Sequence, residues 1–213
     1  MRSKIPDVIE ALTGHFDADH ARLAATMLGR LDRVEEALAT LDQTIEAASR
    51  PWAHQIELLQ TIPGVGLKVA QVNIAEIGAD MSKFPSAAHL AAWAGVAPAI
   101  HESAGHRSPA GARHGNKWLT SMLVEAAGSA SRSKNTYLSA QQSRIASQRG
   151  AKRAQIAAAH SILVSVYYML ERNEPYHDLG PEWLHQRHEQ ANTRRLIAQL
   201  ERLGHTVIID PAA

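Results

Sequence analysis

Ser103 stands in a run from Ala97 to Gly115 that carries Pro98 and Pro109, three glycines, Arg107 and Arg113, and His101, His106 and His114. Lys117 follows directly. A serine hydroxyl can attack a phosphodiester to form a phosphoseryl linkage, while guanidinium groups neutralise the non-bridging oxygens. Arg107 and Arg113 are close enough in sequence to clamp one phosphate in that way, with Lys117 as a further charge contact. The hydroxyl needs a proton acceptor, and the neighbouring candidates are Glu102 and the three histidines. No run of spaced acids of the kind that holds two magnesium ions is present. A serine in such surroundings is also a common loop or capping residue. The length of the run, about nineteen residues, sets it apart, because long connections in compact domains carry function or are disordered.

A serine loop acts only if rigid elements hold it. Upstream, Ile56 to Thr61 and Lys68 to Ile77 have helical spacing and flank Ile62-Pro63-Gly64-Val65-Gly66. This helix, glycine turn, helix pattern is similar to the helix-hairpin-helix of DNA-binding proteins that do not read sequence. Gly64 and Gly66 would let the backbone approach a phosphate, the first amides of the next helix would hold the anion, and Lys68 would add charge. The alternative is a plain connecting turn between two helices. Ser86 is placed to cap a helix over 87–94, with Leu90 and Trp93 facing a core and Gly95 as the stop. Gly115-Asn116 starts the helix that follows the loop, and Asn116 joins the nucleic-acid candidates. Helix 151–171 carries the longest apolar pattern, with Ile156, His160, Leu163, Val164, Tyr167 and Leu170 on one side. His89 and His160 read as surface and core histidines and not as ligands.

From His20 to Ala48, Met27, Leu31, Val34, Leu38, Leu41, Ile45 and Ala48 repeat at alternating four and three spacings between charged residues. That pattern predicts a coiled-coil arm that pairs two copies, with one amphipathic helix on the protein's own core as the alternative. Arg50-Pro51 ends it. The reading is an all-α protein in three parts: connector and arm over 1–50, a helical domain over 51–172, and a helical extension over 173–213. Thr206 to Ile209 could add a short strand.

Composition narrows the classes. Apolar residues make up 45% of the 213 and aromatics 5%, which favours packed helices. There is no cysteine, so disulfides and thiolate metal sites are excluded and a cytoplasmic setting is expected. No apolar run reaches membrane-spanning length. The net charge of +1 conceals a block: residues 104–153 hold nine Lys and Arg against one Glu. Basic charge gathered beside the serine loop points to a polyanion.

The motifs IPGVG, AEIG, FPSAAHLAAWAGVAP, HESAG, GNKWL, NTYLSAQ and AHSILVSVYYML, in this order, resemble the carboxy-terminal part of bacterial insertion sequence one-ten transposases. These are bridge-RNA-guided serine recombinases, and the likeness runs from about His15 onward. It implies an amino-terminal RuvC-like domain with acidic ligands for Mg2+, then a coiled coil, then a transposase domain whose serine becomes linked to DNA. Ser103 of HESAG holds the matching position. It also implies DNA as substrate, a structured guide RNA as partner, and a dimer or higher assembly. Thr120 stands where a basic residue is expected. The RuvC-like part is not in this sequence, so Mg2+ is expected only on that missing domain, with no cofactor here. The expectation is therefore DNA transposition by site-specific recombination, in which this chain alone binds nucleic acid without exchanging strands. The competing expectation is a non-enzymatic, dimeric helix-hairpin-helix protein that binds DNA or RNA and could regulate transposition negatively.

Overall fold

The computed structural model describes residues 4–14, 16–98, 101–103, 106–108 and 114–204. The chain divides into two compact units, Met1–Pro51 and Trp52–Ala213. The first holds α1 (Ile5–Leu12) and the long α2 (Ala18–Ser49). Asp17 caps α2 by accepting from the amides of Asp19 and His20. Its carboxyl is held below the usual carboxylate range by the backbone hydrogen bond from His20. None of the residues of α2 is buried within the unit, and the seam Leu31, Val34, Leu38 and Leu41 is exposed. The predicted helix is present, and its apolar stripe is uncovered.

Among its described residues the second unit is helical apart from one short hairpin: α3 (Ala53–Leu59), α4 (Leu67–Ile77), α5 (Ala87–Ala94), β1 (His101–Ser103), β2 (His106–Ser108), α6 (Lys117–Ala130), α7 (Tyr137–Arg149), α8 (Ala151–Arg172) and α9 (Trp183–Arg202). The all-α reading holds. The run after α5, expected as irregular, contains the antiparallel pair β1–β2. Thr206 to Ile209, read as a possible strand, lies outside the described residues.

α8 is the central helix and packs against α3, α5, α6 and α7. Its buried face overlaps the stripe the large residues suggested only at Leu163 and Tyr167. Ala154, Ala158, Ala159, Ile162, Leu163 and Val166 are fully buried, whereas Ile156, Val164 and Leu170 are partly so. Alanines let neighbouring helices come close, so small residues take the inner face of the first half of α8, and Ile162, Leu163, Val166, Tyr167 and Met169 take it in the second half. Trp93 also departs from expectation. It is 44% exposed and lies over Phe84, ring centroids 5.8 Å apart, while Leu90 alone of that pair enters the core. α9 joins through Trp183, whose ring meets Tyr137 edge-on at 5.5 Å.

His160, half-buried on α8, has its pKa lowered from the ordinary 6.5 by burial. The unfolded chain therefore takes up that proton at higher pH than the folded one. The stabilisation is fully present above the ordinary value and declines as pH falls below about 6.5. His160→Gln should flatten part of the acid-side slope of the melting temperature. An unchanged slope would assign that slope to other groups.

Candidate nucleic-acid interface

The serine loop leaves and re-enters the domain at one neck. α5 ends at Gly95 in the left-handed conformation, and the amides of Val96 and Ala97 both return to the Ala91 carbonyl. Twenty residues after Gly95 the chain comes back as Gly115, packed so tightly on Ala94 and Gly95 that a β-carbon there would overlap their backbone. Thr120 of α6 closes the join, its hydroxyl donating to the Ala94 carbonyl at 2.6 Å. Thr120, the apparent departure from a basic residue, has a structural task in the neck.

Asn116 is the second fastening. Its Oδ1 caps α6 by accepting from the amides of Trp118 and Leu119, each at 3.0 Å. Its Nδ2 donates to Glu76 Oε2 on α4 at 2.5 Å. Both ends of this amide make hydrogen bonds within the fold, so Asn116 forms a bracket between α4 and α6. Lys117 and Trp118 project beside it. Both are exposed, with the ammonium 5.7 Å from the indole centroid.

Within the loop, β1 and β2 pair in the register His101 to Ser108, Glu102 to Arg107 and Ser103 to His106. Of the three histidines considered as proton acceptors, His106 is thus the cross-strand partner of Ser103. Arg113 lies outside the described residues.

The glycine turn occupies a different place. Ile62 to Val65 closes with the Val65 amide donating to the Ile62 carbonyl at 3.0 Å, and Gly64 has φ +87°. Pro then Gly at its two centre positions is the type II pattern. Gly64 faces the backbone of α6 at Ala126 and Ala130, so its missing side chain serves helix packing. Gly66 differs. It is exposed at the start of α4 with open space around its α-carbon, next to exposed Lys68.

α4 and α6 therefore run in opposite directions. Asn116, at the start of α6, holds Glu76 near the end of α4, and the turn before α4 sits on the end of α6. At 1.5 Å per residue the neck and the Gly66 turn are about 18 Å apart along α6. The structure joins Asn116, Lys117 and Thr120 at the neck and keeps Gly64, Gly66 and Lys68 away from it. His89 bonds Ser86 Oγ at 2.9 Å on the surface, in keeping with its capping neighbour. Among the described residues, no three His, Asp or Glu side chains gather in a way that could hold a metal ion, and no helix is long and apolar enough to cross a membrane.

The likeness of the second unit to known proteins lies with transposases. Residues 56–143, from the start of the core through the neck to α7, match the transposase IS116/IS110/IS902 family. The chain is 33% identical over 135 residues to the insertion element IS110 uncharacterized 43.6 kDa protein of Streptomyces coelicolor, covering 56% of this chain and 32% of that protein. It is 50% identical over 50 residues to the pilin gene-inverting protein of Moraxella bovis and 48% identical over 50 residues to that of Moraxella lacunata. Each of the two matches covers 24% of this chain and 15% of the relative. The chain thus spans about a third or less of the length of these relatives.

Proposed function

We propose that this chain provides the DNA-handling part of a transposase, with Ser103 as the nucleophile for DNA strand transfer. The observation that supports it most is the neck: a loop fastened at both ends carries Ser103 at the edge of the most basic stretch of the chain. In the proposed step the Ser103 hydroxyl attacks a DNA phosphorus and a phosphoserine ester forms. The bond to the leaving sugar oxygen breaks, and that oxygen takes a proton. The serine proton passes to a base, for which His106 is the first candidate as the register partner of Ser103. Arg107, Arg113 and Lys117 neutralise the phosphate oxygens. The exposed Gly66–Lys68 turn holds the backbone elsewhere, because about 18 Å corresponds to roughly five base pairs of duplex. No step is assigned to a metal ion on the described residues. Pairing of two copies through the uncovered α2 stripe, a structured guide RNA and a cytoplasmic setting complete the reading.

The test combines this chain with a full-length family member, DNA carrying an insertion-sequence end, and RNA from the element. Covalent DNA adducts of this chain, told from those of the longer partner by their size on denaturing gels, should appear with the wild type and vanish with Ser103→Ala. Melting temperature should be unchanged. An adduct that survives in Ser103→Ala would sink the nucleophile. Nucleic-acid binding without an adduct from either protein would favour the non-enzymatic binder. Sedimentation of the same samples tests the arm, for which a monomer at every concentration is the adverse result.

A further inference from the structure

We propose that Trp118 is a stacking platform for an unpaired nucleobase at the neck of the serine loop, an inference that rests on the nucleic-acid reading above. At 68% exposure Trp118 is the most exposed aromatic residue described, yet it adjoins Leu119, which is fully buried. Trp93 and Trp183 of the same unit have aromatic neighbours, Phe84 and Tyr137, and Trp52, at 43% exposure, is less open than Trp118. The ring contact recorded for Trp118 is with the Lys117 ammonium.

The backbone beneath the indole is unusually fixed for a loop-to-helix junction. The Asn116 cap takes the Trp118 amide itself, Glu76 holds Asn116, and Thr120 is tied to Ala94. A rigid support means that little further ordering is needed when a flat partner lands on the ring. The surroundings select that partner. Residues 104–153 carry nine basic side chains against one acid, which disfavours an apolar protein surface and favours a polyanion. A polyanion with flat apolar faces is a nucleic acid, and the base faces are free only where bases are unpaired. Lys117 beside the ring would meet the phosphate of the same nucleotide. Trp118 would then recognise a nucleotide that is single-stranded or turned out of the helix, in DNA or in RNA.

Fluorescence anisotropy with four oligonucleotides of one sequence tests this: single-stranded DNA, single-stranded RNA, perfect duplex DNA, and duplex DNA with one bulged base. Trp118→Ala should weaken binding to substrates with an unpaired base by about 10-fold or more. Perfect duplex should change less than about 2-fold, and Trp118→Phe should restore most of the loss. Lys117→Ala should instead weaken all four alike and reduce the salt dependence. Which single strand responds more strongly to Trp118→Ala assigns the base to DNA or RNA. Equal losses on paired and unpaired substrates, or none, would overturn the stacking role while leaving the nucleic-acid reading intact. Failure of the wild type to bind any of the four would overturn both. A change in oligomeric mass in Trp118→Ala would show a second protein copy as the occupant and also overturn it.

Discussion

Gly115→Ala is expected to destabilise the helical unit by about 3 kcal/mol and to abolish activity that depends on the serine loop. The added β-carbon would overlap the Ala94 carbonyl group and the Gly95 nitrogen, which are backbone atoms of the helix end. A side chain in that position could rotate away, but these atoms can yield only if α5 and α6 part. Parting them stretches the Thr120 bond to Ala94 and pulls Asn116 from Glu76, so the neck opens as one event. At about 2 to 4 °C per kcal/mol for a domain of this size, the melting temperature should fall by about 10 °C. Hydrogen exchange should locate the damage. Faster exchange at the first turn of α6 and the last of α5, with α8 protected, is the expected pattern. A variant as stable as wild type would mean that the neck is not closed as described.

Most of the scaffold was legible in the sequence because it depends on local chemistry. Ser86 caps α5, Gly95 ends it in the left-handed region, and Asn116 starts α6. Each of these follows from one residue and its few neighbours. The helical spacing of α2 was equally plain, although the helix pattern cannot by itself say what covers Leu31 or Leu38. Legibility failed where the partner is distant in sequence. Nothing near Gly115 announces that it must meet Ala94, and nothing near Asn116 points to Glu76, 40 residues away. The alanine-rich inner face of α8 was missed for a related reason: hydrophobic patterns weight large side chains, whereas close helix packing is decided by small ones. Trp118 was visible as an aromatic residue, but only its exposure on a fixed helix start marks it as more than core.

The candidate site shows the same division. Ser103, Arg107 and Lys117 could be chosen by residue type, since nucleophile and phosphate-binding chemistry is carried by few side chains. Their arrangement could not. The two glycines of the turn looked equivalent, and the structure separates them. Gly64 lies against α6, while Gly66 faces open space at the start of α4. With α4 and α6 antiparallel, the turn and the serine loop become two stations at opposite ends of one helix. α6 thereby sets the distance between them.

That separation gives the largest stability effect expected in the molecule. Gly64→Ala meets two penalties at once. Its φ of +87° lies where an L-residue costs about 1–2 kcal/mol, and its β-carbon would fall 2.6 Å from the Ala130 nitrogen and closer still to the Ala126 carbonyl oxygen. Overpacking against backbone adds about 3 kcal/mol, for a total near 4 or 5. Native domains hold only about 5–15 kcal/mol in reserve, so the loss takes about a third of it or more, and the melting temperature should fall by about 10 to 20 °C. Gly66→Ala is the informative contrast, because its φ of −92° suits any residue and no atom lies within 4 Å of the new β-carbon. It should cost less than about 1 kcal/mol, the difference between Gly and Ala at a helix start. If the turn holds a phosphate through its backbone, Gly66→Ala should nonetheless weaken duplex binding by about 5-fold, a loss of about 1 kcal/mol. Circular-dichroism melts and duplex titrations of the two variants separate the effects. A stable Gly64→Ala protein would remove the packing role given to that glycine, and full duplex affinity in Gly66→Ala would reduce the turn to a connector.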